Sequence, residues 1–155
     1  MLQIAWDDYH NMVHVLNDKI AKTITPSEVD GKIHLVGLPR GGTLIALHLT
    51  YINEHCYAHF DGFDSEVDFA SLSTVIVDDV LETGKTRVKL MNKLNISSIN
   101  NFAVLVDKAN LYGIPPADVS VMRLDSKIWI EFPYENVLDP KEITSRKERG
   151  YGHDE

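Results

Sequence analysis

Short apolar runs and helically spaced apolar positions take turns along this chain. Residues 33–38, 75–77 and 101–106 are brief, rich in branched side chains and closed by polar turns. Such runs suit strands buried on both faces, as in a parallel sheet. Shorter runs at 55–58 and 119–122 read the same way, and residues 127–135 read as the last strand. Tyr9, Met12, Val13, Leu16 and Ile20 fall instead at helical spacing, which predicts a first helix with one buried face and Asp7 or Asp8 as its N-cap. Residues 43–49 read as a second helix after a Pro39-Arg40-Gly41-Gly42 loop, and Val88, Leu90, Met91 and Leu94 mark a third. Residues 111–118, broken by Gly113, Pro115 and Pro116, read as a connection. Strand, loop and helix repeating in this order predict an α/β fold with a parallel sheet and helical crossovers.

At 155 residues, with 44% hydrophobic and 25% charged content, the chain suits one globular domain. No apolar run nears the ~20 residues of a membrane span, and Met1-Leu2-Gln3 lacks the basic start of a secretory signal, so a cytoplasmic location is expected. The single Cys56 excludes an internal disulfide and a cysteine-based zinc cluster. A net charge of −8 opposes non-specific nucleic-acid binding, which rests on a basic patch. The same field makes an anionic ligand awkward unless a metal and local donors offset it, so magnesium (Mg2+) is expected beside any such ligand. His10 and His14 share a helix face four residues apart, a geometry that can hold a metal; without a third ligand they read as solvated. The polar tail, with Arg146, Lys147 and Arg149, reads as a solvated end.

Residues 75–87 carry the chemistry. Asp78 and Asp79 stand where an apolar strand emerges, Thr83-Gly84-Lys85-Thr86 forms a turn, and a helical pattern follows. Strand, polar turn and helix N-terminus together present backbone N–H groups to a phosphate. Consecutive strand residues face opposite ways, so the two aspartates divide the work. One suits sugar hydroxyls and the other a metal ion or inner-shell water. A phosphate at 83–86 with ribose hydroxyls at the acids describes a ribose 5-phosphate site. The nucleotide-binding P-loop does not fit, because Asp79 stands where its first glycine belongs, and Gly84 alone does not make a dinucleotide fingerprint. The plainer reading is an ordinary strand–turn–helix joint with acids capping the helix. Arg40, Gly41 and Gly42 follow another strand and precede another helix; the glycines admit close approach to the main chain and Arg40 adds a cation.

The run Val-Asp-Asp-Val-Leu-Glu-Thr-Gly-Lys-Thr resembles the phosphoribosyl-pyrophosphate signature of the type I phosphoribosyltransferases. The resemblance implies the parallel-sheet fold of that family, a Rossmann-like core with a small hood, in one domain over residues 1–155. The core would span about 1–125, a base-binding hood 1–8 with 126–140, and a polar tail 141–155. It implies that Arg40 and Gly41 lie in a pyrophosphate loop, where the peptide joining the Arg and Gly positions is often cis. Asp78, Asp79, Glu82, Thr83, Gly84, Lys85 and Thr86 would bind 5-phosphoribosyl pyrophosphate (PRPP), with Asp79 on the metal side. The segment 59–71 holds Asp61, Asp64, Glu66 and Asp68 but no Lys or Arg, whereas the family has a longer mobile loop there that often supplies a basic residue. This departure favours a non-catalytic descendant as the alternative function.

Further stretches resemble the xanthine-guanine branch: Ala5-Trp6-Asp7, the Pro-Arg-Gly-Gly loop, Lys108 after its strand, and Trp129-Ile130-Glu131 with Pro133. They imply transfer of phosphoribose to hypoxanthine, guanine or xanthine in purine salvage, commonly by a dimer or tetramer. Trp129 would stack on the purine, Ile130 would offer backbone groups to its edge, and Lys108 would donate to a 6-oxo group, which rejects adenine. Read without the resemblance, Trp129 is core and Lys108 a surface lysine. Glu82 stands where the purine branch usually has Asp; it would handle the proton near N7 of the base, or else cap the helix.

Overall fold

The computed structural model describes residues 1–59 and 67–137. Five strands form one parallel sheet: β2 (Ile33–Gly37), β3 (Cys56–His59), β4 (Thr74–Leu81), β5 (Phe102–Asp107) and β6 (Val119–Arg123), in the order β3-β2-β4-β5-β6. A separate parallel pair joins β1 (Leu2–Gln3) to β7 (Ile130–Glu131), so the two ends of the described chain meet. Helices α1 (Trp6–Thr23), α2 (Gly41–Ile52), α3 (Lys85–Leu94) and the short α4 (Ala109–Tyr112) complete the core.

The β-branched runs behave as their composition requires. All eight residues of β4 and all six of β5 are buried, because helices cover both faces of the sheet. Tyr9, Val13, Leu16 and Ile20 of α1 and Ile45, Ala46 and Leu49 of α2 pack with Val75 and Val77 on one face. Leu90 of α3 packs with Ile76, Phe102 and Val104 on the other. Residues 75 and 77 thus face α1 and α2 while residue 76 faces α3, and the same alternation carries on to the two aspartates.

Several boundaries differ from the sequence reading. The first helix is capped by the backbone of Ala5, with Asp7 and Asp8 inside its first turn, where acids complement the helix dipole. Gly41 and Gly42 do not lie in the loop but open α2. The connection after β5 contains α4, ended by Gly113 at φ +64°. Residues 127–135 are not one strand: only Ile130–Glu131 pair, and Pro133–Val137 form a 3-10 turn. Pro133 lacks the N–H that a longer ladder needs. Asp61, Asp64, Glu66 and the tail with Arg146, Lys147 and Arg149 lie outside the described residues. Among the described residues no helix is long and apolar enough to cross a membrane.

Candidate active site

Strand order determines where a ligand can bind. From β2 the chain crosses to the edge strand β3, then returns to β4 on the other side of β2. Between β2 and β4 the connections therefore leave toward opposite faces, and the crevice outside their carboxyl ends is the usual ligand position of such sheets. Both motifs open into it. Gly37 ends β2, and the Arg40-Gly41-Gly42 segment leads into α2; Asp78 and Asp79 stand near the end of β4.

The two glycines are there because nothing larger fits. A Cβ on Gly41 would run into the Asp79 carboxylate and come within 2.6 Å of the Tyr134 hydroxyl. A Cβ on Gly42 would collide with the Val77 carbonyl. The first turn of α2 is thereby seated directly on the end of β4. The peptide joining Pro39 to Arg40 is cis, one residue earlier than the Arg–Gly position implied by the family resemblance. Arg40 is exposed at the N-cap of α2.

Asp78 and Asp79 are both buried and part ways as strand alternation predicts. Asp79 turns to the α1 and α2 side, where its Oδ2 accepts the Tyr134 hydroxyl at 2.9 Å and its Oδ1 accepts the Val80 N–H at 2.8 Å. Asp78 Oδ1 accepts the Asp79 N–H at 2.9 Å. Burial, and next the negative charge of Asp79, push the Tyr134 phenol far above its ordinary range, so it stays a neutral donor. Tyr9 is raised for the same two reasons, and its hydroxyl lies 2.8 Å from His48 Nδ1.

Thr83 and Lys85 are exposed, and Gly84 takes φ +79°, a left-handed conformation that suits glycine at the N-cap of α3. The Thr83 hydroxyl accepts the Lys85 N–H at 3.5 Å, and the positive end of the helix faces the turn. Thr86 Oγ1 is buried and lacks a hydrogen-bond partner among the described residues. A buried hydroxyl in that condition is costly unless a ligand meets it. Arg87, the next cation, points elsewhere: its Nη2 donates to the Pro115 carbonyl at 2.8 Å.

On the far side of β4, Lys108 is 1% exposed, not a surface residue. Its ammonium donates to Glu82 Oε1 at 3.3 Å and to the Ile128 carbonyl at 2.6 Å. Glu82 therefore pairs with Lys108 and does not cap α3. Trp129 is half-buried and follows Ile128 in sequence, and its carbonyl accepts the Leu2 N–H at 2.8 Å. Ile130 is fully buried in the core; since Trp129 and Glu131 offer their carbonyls to β1, alternation turns the backbone groups of Ile130 toward the opposite edge.

Two residues of this region were missed in the sequence. Tyr134 reaches Asp79 across 55 positions, a contact no spacing rule reveals. Asp107, buried, holds the turn after β5 by accepting the Ala109 and Ala117 N–H groups at 2.8 and 2.9 Å. Its place at a strand end beside Lys108 was a usable signal. His10, by contrast, lies against Trp6, Tyr9 and His48, and among the described residues no group of three or more His, Cys, Asp or Glu side chains is placed to hold a metal.

A parallel sheet in this order, with a glycine loop and an acid–turn–helix segment at its switch point and a small terminal strand pair, is the type I phosphoribosyltransferase fold. Structural comparison supports it over most of the chain. A purine phosphoribosyltransferase from Pyrococcus horikoshii superposes with a TM-score of 0.63 at 22% identity, covering 89% of this chain and 96% of its own. The xanthine-guanine-hypoxanthine phosphoribosyltransferase of Helicobacter pylori gives 0.59 at 16%, covering 93% and 98%. A hypoxanthine phosphoribosyltransferase from Trypanosoma cruzi, complexed with the product IMP, gives 0.59 at 17%, covering 93% and 92%. No family model matches the chain, and no curated protein sequence matches it.

Proposed function

We propose that this protein is a purine phosphoribosyltransferase of the salvage type. A ring nitrogen of hypoxanthine, guanine or xanthine attacks C1 of PRPP, the bond from C1 to the pyrophosphate oxygen breaks, and a nucleoside monophosphate and pyrophosphate result. The seating of Gly41 against Asp79 carries the reading, because it joins the start of α2 and the end of β4, the two segments such a reaction needs, at one crevice. The purine substrates and product in the names of the structural neighbours support the choice of base class.

In this reading Thr83, Gly84, Lys85 and Thr86 hold the 5-phosphate, with the Thr86 hydroxyl, unpartnered among the described residues, and the N-terminus of α3 as donors. Asp78 and Asp79 take the ribose hydroxyls, and Arg40 and Gly41 face the pyrophosphate. The two buried carboxylates are an oxygen-only donor set, which fits Mg2+ held by one or two acids together with substrate phosphates; Asp79 is its side of the site. Bound there, Mg2+ would supply positive charge beside the pyrophosphate. Lys108 has three N–H donors and spends two on Glu82 and Ile128, leaving one for a 6-oxo group. Glu82 takes the proton released as the purine becomes a nucleophile, and Trp129 and Ile130 hold its face and edge. The chain's task is positioning and charge stabilisation of a sugar cation, not covalent catalysis.

The test is purified protein with Mg2+, PRPP and a panel of hypoxanthine, guanine, xanthine and adenine. Pyrophosphate release with 6-oxopurines alone is expected. Preference for adenine would overturn the role of Lys108. Binding of PRPP without turnover of any base would leave a nucleotide-binding module, the alternative suggested by the acidic segment 59–71.

A further inference from the structure

We propose that Tyr134 is the positioning residue for Asp79, and that through this one hydrogen bond the C-terminal segment sets how tightly the metal complex of the sugar pyrophosphate is held. The inference rests on the proposed function and goes past it, to a residue outside the family signature.

Tyr134 lies in the 3-10 turn that follows β7, and its hydroxyl donates to Asp79 Oδ2 at 2.9 Å. With Asp79 Oδ1 accepting the Val80 N–H, the carboxylate is gripped at both oxygens. The phenol has little room to swing. Phe132 stacks on its ring at 5.5 Å and 3°, and the fully buried Tyr9 meets it edge-on at 5.7 Å and 79°. The third side is Gly41, whose missing Cβ leaves the space that Asp79 and the hydroxyl occupy. Three separate parts of the chain therefore converge on one oxygen atom: the start of α2, the end of β4 and the turn after β7. An outer-shell hydrogen bond of this kind orients the carboxylate that a cation needs, and loss of such a bond typically weakens binding or activity 10–100-fold.

Tyr134→Phe removes only the oxygen and keeps the stacked ring. Titration calorimetry would compare PRPP with Mg2+, PRPP without it, and a purine mononucleotide without metal. The variant is expected to bind PRPP with Mg2+ about 10–100-fold more weakly, and the mononucleotide, which meets Asp79 through its ribose hydroxyls alone, less than about tenfold more weakly. The mononucleotide reading also reports whether the variant is folded. Equal weakening of both ligands, or weakening of PRPP that is the same with and without Mg2+, would assign Tyr134 a packing role and overturn the inference. So would unchanged binding throughout. Failure of the wild type itself to bind PRPP is a different outcome, and it overturns the proposed function.

Discussion

Lys108 Nζ stands 3.3 Å from Glu82 Oε1, the lysine at the end of β5 and the glutamate just past β4, although 26 residues separate them. Their side chains are 1% and 11% exposed, so each charge relies on the other. Removing one partner of such a pair costs about 3–5 kcal/mol, because the survivor is left buried and unpaired. Glu82→Gln and Lys108→Met should each lower stability in urea unfolding by roughly that amount, and the double variant by much less than the sum.

The same pair tests the chemistry. Glu82→Gln should sharply reduce turnover with a 6-oxopurine while PRPP binding changes little. Unchanged turnover would leave the pair a structural strut.

Gly41→Ala should be damaging for a reason distinct from helix propensity, which alanine would improve at the start of α2. The added methyl meets the Asp79 carboxylate and the Tyr134 hydroxyl. Overpacking of this kind costs about 1–3 kcal/mol. The expected result is a lower unfolding midpoint together with weaker PRPP binding, read by thermal melts and calorimetry.

Thr86→Val should separate binding from stability. No hydrogen bond is lost in the unliganded protein, since Thr86 Oγ1 has none among the described residues, so the melt should be unchanged or slightly raised. A hydroxyl bonded to a phosphate is a charge-assisted contact worth about 1.5–3 kcal/mol, so mononucleotide affinity should fall about 10–100-fold. A destabilised variant with unaltered affinity would place the phosphate elsewhere.

His48 offers a pH test away from the carboxylates. Burial, and then the charge of His10, hold its pKa below the ordinary histidine value. The unfolded chain therefore takes up a proton at higher pH than the native state does. Stability should fall as pH drops through the unfolded value of about 6.5, and the fall should level off below the native pKa. His10→Gln should raise the His48 titration midpoint, followed by NMR, only part of the way back, because burial is the larger cause.

The alternation of short apolar runs with helical spacing was enough to predict a parallel α/β sheet, since strands covered on both faces need continuous apolar sequence. It was also enough to send Asp78 and Asp79 opposite ways, because strand periodicity is a local property. Ends of elements were less legible. Residues 127–135 carry apolar strand-like composition, yet Pro133 and the pairing available from β1 allow only Ile130–Glu131 to join a ladder.

By itself the sequence determined the candidate phosphate turn, the acid pair and the glycine loop, because each is built from neighbouring residues whose spacing sets their chemistry. Only the tertiary structure decided what stands beside them. Tyr134 on Asp79, Gly41 without room for a methyl and Lys108 buried against Glu82 are contacts between segments 26 to 55 residues apart or across two crossovers. Such contacts follow from strand order and from close packing across the sheet, and neither is written in any local pattern.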